Sequence, residues 1–587
     1  MTRDTTRSRG GSWLLEPWDS EGITTPERIS DEHRMIGRTA REFISQDVIP
    51  HLEALEAKDW DRARALMRAA GELGLLGTDV PEGYGGVGLD KLSSIVVAEN
   101  VALPASFAAM FGGQTNLTIM PLLCFGTEAQ KQTYLPRLVS GDLVGAYALS
   151  ESGAGSDALS ARARATVHPD GGFVLNGEKM WITNGGFADV FIVFAKIDGE
   201  HFTAFLVERG VPGVSTGHEE HKMGLHGSST TSLILQDARL PADALLGEIG
   251  KGHKVAFNTL NYGRLKLGAM CCGGGKAAVG EAVRYAVARK QFGRPIASFG
   301  AIRHKLGEMV MRTYVVESML YRTAGLIDER LESATDIAAT TLAALEELAV
   351  ESSIIKVAGS EMIDFVLDEN IQIHGGNGYV RDYPAERQYR DARVNRIFEG
   401  TNEINRLLIP GTLVRRATKG EFPLLAERNQ ASTGGRHATS PPEGPLAEQW
   451  AAVESFKRVA VTTLRMAVAT HGAGLSDEQE VLGCTADILI DSYGAESAMA
   501  RAEQAASAHS ATMEIHLDAA RLAVDCAAAR VARAAAQAVA AMSPEAEREG
   551  RLVSIRAEQI EAPIDTIAHR RRLADALVGR GTYPLGE

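Results

Sequence analysis

The sequence predicts a mainly α protein with a central β domain, and three changes of pattern along the chain predict it. Residues 25–143 carry apolar positions at three- and four-residue spacing, as in Glu32-His-Arg-Met-Ile-Gly-Arg-Thr-Ala-Arg-Glu-Phe-Ile44, which is the stripe of an amphipathic helix. Between Gly145 and Glu248 the texture shifts to short β-branched and aromatic runs divided by turn residues. Long amphipathic segments return from Gly252 to Ala417, and residues 446–576 are Ala-rich and helical in pattern. A chain of 587 residues exceeds one small core. The expected units are an N-terminal helical domain (1–145), a β domain (146–250), a second helical domain (251–418), a linker (419–445) and a C-terminal helical domain (446–587).

In the first domain the helical runs are punctuated at Pro81–Gly88 and at Gly112-Gly113. Met1–Gly11 carries Arg3, Arg7 and Arg9 but no apolar core of a secretion signal, so a frayed tail is expected. In the β domain, Asn176-Gly177 stands between strand-like arms running from Phe173 to Thr183, the signature of a tight hairpin. Further strands are expected at Asp189–Ala195, Phe202–Val207 and Thr231–Leu235. Strands this closely spaced suggest a compact barrel or sandwich instead of a parallel Rossmann sheet. The stretch Glu427–Pro445 is rich in Gly, Ser and Pro and reads as a mobile surface connection.

Composition excludes several classes. A formal charge of -14 and a pI near 5.6 argue against general nucleic-acid binding. Cys124, Cys271, Cys272, Cys484 and Cys526 show no CxxC or metal spacing and fit a reducing, cytoplasmic compartment. No apolar run is long enough to span a bilayer. His218-Glu-Glu-His221 lacks the zincin spacing, so no metal site is expected. Gly83-Tyr-Gly85-Gly-Val-Gly88 fits GxGxxG to the letter but follows no strand, and no serine sits in a GxSxG elbow.

Five stretches remain as chemistry. Glu399 lies between Ile397-Phe398 and Gly400, where apolar neighbours would strip water from the carboxylate and raise its pKa, as suits a base that takes a proton from carbon. Tyr147-Ala-Leu-Ser150-Glu151-Ser152-Gly153-Ala154-Gly155-Ser156-Asp157 offers hydroxyls and open backbone N–H groups to an anion or a ring edge. Trp181-Ile182-Thr183-Asn184-Gly185-Gly186 adds an aromatic plate and a hydroxyl. Arg289 in Arg289-Lys-Gln-Phe292-Gly293 could grip a pyrophosphate, and Gln372-Ile-His374-Gly375-Gly376 brings bare backbone to something close. Taken singly, each has an ordinary reading: a carboxylate beside a helix cap, a turn, a buried hairpin Trp, a solvated basic helix end and a helix terminus.

Taken together in chain order, the Ser150–Asp157 loop, the Trp181–Gly186 stretch, the Arg289–Gly293 segment and the Phe398–Asn402 stretch resemble the acyl-CoA dehydrogenases, and the resemblance spans essentially the whole chain. Thr203-Ala-Phe-Leu-Val-Glu-Arg-Gly210, Tyr262-Gly263-Arg264 and Gly579-Arg-Gly-Thr-Tyr-Pro-Leu-Gly586 resemble the very-long-chain subgroup and its bacterial long-chain relatives, which carry an extra C-terminal helical domain. The resemblance implies a helical–β-barrel–helical core that binds FAD and converts acyl-CoA to trans-2-enoyl-CoA in fatty-acid β-oxidation. Glu399 would be the general base. Tyr147, Ser150, Gly155, Ser156, Trp181, Ile182 and Thr183 would line the flavin, with Ser156 also near the thioester. Arg289, Gln372, Gly375 and Gly376 would reach the FAD of a neighbouring subunit in a homodimer, and Thr401, Asn402 and Glu403 would approach its adenine-diphosphate side. Asn261, Tyr262, Gly263, Arg264 and Gly400 would meet CoA or substrate.

The same resemblance names an electron-transferring flavoprotein as acceptor. An acyl-CoA oxidase, a dehydrogenase of carrier-protein thioesters and a non-catalytic assembly protein on the same fold are the alternatives. Some family members carry the base at the position matching Gly263, where glycine cannot serve. Ser150-Glu151-Ser152 replaces the common Thr-Glu-Pro, keeping the hydroxyl but relaxing the loop. Gly112 and Gly113 match the floor of the acyl pocket, where small residues permit depth. The membrane-contacting helix of mitochondrial very-long-chain members has no apolar counterpart in the linker, so membrane binding is not carried over.

Overall fold

A computed structural model describes residues 9–16, 20–425 and 444–586. The linker expected over 419–445 lies outside the described residues between 426 and 443. The first helical region runs α1 (Asp31–Phe43), α2 (Leu52–Glu56), α3 (Trp60–Glu72), α4 (Lys91–Asn100), α5 (Ala105–Gln114), α6 (Met120–Phe125) and α7 (Glu128–Val139). Several of these helices start where side chains can satisfy free N–H groups: Asp59 accepts from Arg62 N, Asp90 from Ser93 N, and Thr127 exchanges bonds with Gln130 in a capping box. Gly112-Gly113 does not break the chain but sits inside α5. Added β-carbons there would come within 3.2 Å of Met270 Cε and 3.0 Å of Asn184 Nδ2, so close helix packing explains the pair.

The β region holds β1 (Gly145–Ala148), β2 (Arg164–Val167), β3 (Phe173–Thr183), β4 (Val190–Ile197), β5 (His201–Glu208), β6 (Val214–Thr216), β7 (Thr230–Leu240) and β8 (Leu245–Leu246). They form one mostly antiparallel sheet in the order β6-β7-β3-β2-β4-β5-β8, with β1 parallel to β4. Strand β4 is apolar on both faces because both are covered. Phe191, Val193 and Ala195 join a core with α1, α3 and α5, while Val190, Ile192 and Phe194 join a second core with α6, α7 and the start of the next helix.

The expected Asn176-Gly177 hairpin is not there. Both residues lie inside the unbroken strand β3, at a bulge in its pairing with β7. Asn176 donates to Asp237 Oδ1 at 3.0 Å and accepts from Asp237 N at 2.8 Å, while a β-carbon on Gly177 would strike Ala163 at 2.8 Å. The pair that usually closes a turn here bends a strand.

The second helical region comprises α8 (Gly252–Ala288), the short strands β9 (Lys290–Gln291) and β10 (Arg294–Pro295), α9 (Gly300–Leu331), α10 (Ile337–Glu347), α11 (Ala349–His374), α12 (Pro384–Ala392) and α13 (Asn402–Thr418). Beyond it come α14 (Ala447–His471), α15 (Gln479–Ser507), α16 (Met513–Met542), α17 (Glu545–Glu558) and α18 (Thr566–Arg580). One continuous core joins the two regions through residues such as Tyr314 and Met319 of α9 and Tyr493 and Met499 of α15.

A buried charge cluster crosses that junction. Lys276 of α8 bridges Glu99 of α4 and Glu317 of α9. Arg501 of α15, wholly buried, reaches Glu317 at 2.7 Å and also holds Glu27, and the Tyr583 hydroxyl donates to Glu317 Oε2 at 3.0 Å. The cations hold the Glu317 carboxyl down to about 2 against the opposing effect of burial. Residues 1–8 of the expected frayed tail lie outside the described residues, but its last residues are held in place. The N–H groups of Gly10 and Gly11 donate to Glu347 and Glu351, and Trp13, 5 % exposed, donates to Glu351 at 3.0 Å.

Candidate active site

Glu399 sits in the turn that joins the 3-10 segment Arg393–Arg396 to α13, and it does so at φ +58°, followed by Gly400 at +80°. A non-glycine residue in this left-handed region is strained and needs support from outside. Four contacts supply it. Arg264 Nε donates to the Glu399 carbonyl at 3.1 Å, Lys356 Nζ to the Gly400 carbonyl at 2.7 Å, and Asn405 Nδ2 to the Gly400 and Thr401 carbonyls at 2.8 and 3.0 Å. The Thr401 hydroxyl caps α13 at Ile404 N.

So held, the carboxylate lies over Gly263 of α8. A β-carbon on Gly263 would come within 2.7 Å of Glu399 Oε2 and 3.1 Å of Oε1. Glu399 as a residue is half-buried, yet its Oε2 is out of solvent and makes no hydrogen bond. Burial pushes the carboxyl up to about 7, against the pull of the Arg264 and Lys356 cations. The cations themselves are weakened by burial, Arg264 to about 10 and Lys356 to about 8. The Tyr147 hydroxyl is also buried without a partner, and burial together with the Glu399 charge raises it well above the ordinary phenol value.

In β3, Trp181 stands at φ +63° beside a second irregularity and is 57 % exposed, so the strand does not bury its indole. Ile182 is buried below it, and half-buried Thr183 abuts the Gly113 position of α5. The loop after β1 is anchored by Glu151, which accepts from Arg162 N and Ala163 N at 2.6 and 3.0 Å and pairs with buried Lys179 at 2.6 Å. That anchor leaves Ser150 half-buried, Ser156 exposed, and Gly153 and Gly155 with nothing within 4 Å of an added β-carbon. An outward indole, free hydroxyls and open backbone make a surface that fits a flat, phosphate-bearing group.

Other candidates lie elsewhere. Arg289 follows the last residue of α8, about 37 Å along that helix from Gly263. Gln372, Gly375 and Gly376 stand exposed at the far end of α11, with Gln372 about 24 Å along it from Lys356. Phe292 and Tyr379 near them are 93 % and 87 % exposed. Glu403 is exposed.

Two expectations need correction. Asn402 is buried and its amide is fully committed, accepting from Lys356 and Ser360 and donating to Ser360 and Glu361. Its side chain braces the turn instead of reaching out to a ligand. Tyr262 is turned away from the Glu399 side of α8, its hydroxyl held by Asp79 at 2.6 Å and by Ser94 at 3.2 Å. Asn261 keeps to the site by accepting from Arg264 Nη1 at 2.9 Å. Lys356 and Asn405 were missed; a lone lysine within the apolar run Ile354-Ile-Lys-Val-Ala358 was the available signal.

Models of the acyl-CoA dehydrogenase N-terminal, middle and C-terminal domains match residues 30–142, 146–238 and 250–413, and a further acyl-CoA dehydrogenase C-terminal domain model matches 455–556. A probable acyl-CoA dehydrogenase of Bacillus subtilis (strain 168) is 45% identical over 510 residues, 86% of each chain. The mitochondrial very long-chain specific acyl-CoA dehydrogenase of Homo sapiens is 36% identical over 493 residues, 78% of this chain and 71% of that one. A crystal structure of an acyl-CoA dehydrogenase complexed with FAD from Bacillus anthracis superposes with a TM-score of 0.95 at 43% identity, covering 98% of this chain and 100% of the other. Among the described residues there is no group that could hold a metal ion, and no helix is long and apolar enough to cross a membrane.

Proposed function

This chain belongs to the acyl-CoA dehydrogenase family, and from that premise we propose that it oxidises long-chain acyl-CoA to the trans-2-enoyl thioester with Glu399 as the base. The observation that carries the assignment of the base is the carboxylate oxygen Oε2: out of water, unpartnered, poised near neutrality and seated against a residue with no side chain. FAD is the cofactor, and when bound it accepts the β-hydrogen with its electron pair. Trp181, Thr183, Ser150 and the open backbone at Gly153 and Gly155 would hold it.

Glu399 takes the α-proton onto a carboxylate oxygen and becomes a neutral acid, which its apolar setting favours. Such positioned proton transfer is worth about 10²–10⁴ in rate. As the proton leaves, charge builds on the thioester carbonyl. The Glu399 N–H, which makes no hydrogen bond among the described residues, is free to donate to it. Arg264 fixes the base through its main chain without neutralising Oε2 by direct contact.

The long-chain reading draws on the likeness to the very long-chain relative, and the small residues Ala102, Ala105, Ala108, Ala109 and Gly274 around a cavity beyond Phe398 are in keeping with it. Electrons then pass to an electron-transferring flavoprotein. The distance of Arg289 from the Glu399 pocket supports a homodimer in which it serves the neighbouring subunit. Glu399→Gln tests the assignment: the yellow flavin should remain bound while palmitoyl-CoA no longer bleaches it. Turnover retained at more than a tenth of the parent rate would move the base elsewhere.

A further inference from the structure

A groove of about 520 Å³ lies in the C-terminal helices, walled by α14, α16, α17 and the link between the last two. That volume falls within the roughly 300–1,000 Å³ of small-molecule sites, which favour the clefts between helices of a bundle. None of its walls belongs to the Glu399 site. Met466 of α14, Val539 and Met542 of α16 and Ile555 of α17 make the floor. Three of these are buried and Met466 is half-buried. Two methionines give the floor a soft, unbranched surface that can follow an alkyl chain.

The rim is polar and carries one charge. Thr462 donates to Glu558 Oε2 at 2.9 Å and is thereby committed, while Thr470 and Ser554 are exposed. Arg551 is the cation, and no carboxylate lines the groove among the described residues. Its single hydrogen bond there runs from Nη2 to Glu547 Oε2 at 2.7 Å, which leaves Nε and Nη1 free. Arg551 and Glu547 are 39 % and 58 % exposed, so theirs is a weak surface pair that a competing anion can replace. Glu558, which holds Thr462, lies two turns beyond Arg551 on α17, about 10 Å along the axis. Arg551 leans the other way, toward Glu547, so the cation stands at the end of the groove away from Thr462.

An apolar floor with a lone guanidinium at one end matches a single alkyl chain that ends in an anion. A carboxylate can take the free N–H groups of Arg551 as charge-assisted hydrogen bonds. A cationic amphiphile would meet like charge, and a CoA head would bring several negative charges to one cation. We propose that this groove binds a free fatty acid of medium length, its carboxylate on Arg551 and its chain over Met466, Val539, Met542 and Ile555. Thr462 and Thr470 are about 12 Å apart along α14, which sets the length of chain that fits.

Titration calorimetry of the holoenzyme with octanoate, decanoate, laurate and palmitate tests this. Affinity should rise about fourfold per methylene until the chain outgrows the groove, and then level. Decyltrimethylammonium should bind at least tenfold more weakly than decanoate. Arg551→Gln should weaken decanoate about tenfold and Arg551→Lys by less. Ala469→Trp and Ser554→Trp, which fill the groove from exposed positions on opposite walls, should each abolish binding, with circular dichroism and FAD content checking the fold. Absence of binding at every length overturns the proposal, as does equal binding of the anion and the cation. Affinity unchanged in Arg551→Gln and in both tryptophan variants also overturns it, and would put the fatty acid in the acyl pocket by Glu399. So does binding to anionic phospholipid vesicles with none to the free acids, which would make this face a membrane contact.

Discussion

At Glu399 one backbone angle and one missing solvent shell set the chemistry. The left-handed turn points the carboxylate at Gly263, and burial lifts its pKa to about 7. As a base it must be ionised, so kcat/KM should rise with pH through about 7 and level above it. Lys356→Met removes a cation that favours the ionised form, so the midpoint of that profile should move to higher pH; a lower kcat with an unmoved midpoint would leave Lys356 a purely structural brace. The same burial has a signed effect on stability. Between the unfolded value of 4.5 and about 7, the unfolded chain loses this proton while the native state keeps it, so rising pH destabilises the fold by up to about 3 kcal/mol and no further above 7. Glu399→Gln should therefore melt higher than the parent at pH 8 and level with it at pH 4, measured by thermal unfolding. The apolar flanks of Glu399 were legible in the sequence. Its long-range supports at Arg264, Lys356 and Asn405 were only partly so, because a turn's partners depend on which helices pass it.

Among the elements, α8 decides the geometry of the site. Gly263 is the point where the helix must present no side chain, and the added carbon of Gly263→Ala would meet the mobile end of Glu399, not backbone. The carboxylate should yield before the helix does. We expect kcat to fall about 10²-fold with FAD content and circular dichroism unchanged; a loss of fold would show that the helix yields first. Helices read well from sequence because their apolar stripes survive in one chain taken alone. Turns read less well. Asn176-Gly177 has hairpin chemistry, but its partner for that chemistry is Asp237, sixty-one residues on, and the pair makes a bulge. Gly112-Gly113 looks like a break and is a packing contact. In each case a distant neighbour outweighs local preference.

Across the whole molecule, the reaction chemistry gathers in the first two helical regions and the sheet, while the later helices supply charge. Arg501 is wholly buried between Glu317 and Glu27, so Arg501→Met should leave Glu317 with one cation fewer and cost about 3–5 kcal/mol. Thermal unfolding would read the loss. The general plan was readable because the family motifs are spread along the chain. The cluster was not: its members lie 184 residues apart for Glu317–Arg501 and 266 apart for Glu317–Tyr583, each sitting in an unremarked helical or terminal stretch.

That spacing reaches into how the protein is made. When α8 and α9 have been made, Lys276 confronts two acids, Glu99 and Glu317, and the guanidinium that also answers Glu317 lies 170 residues beyond the end of α9. A nascent dehydrogenase core must wait with that face unsettled, and a transcript cut after α13 would encode every reacting group yet leave an acid stranded in its interior.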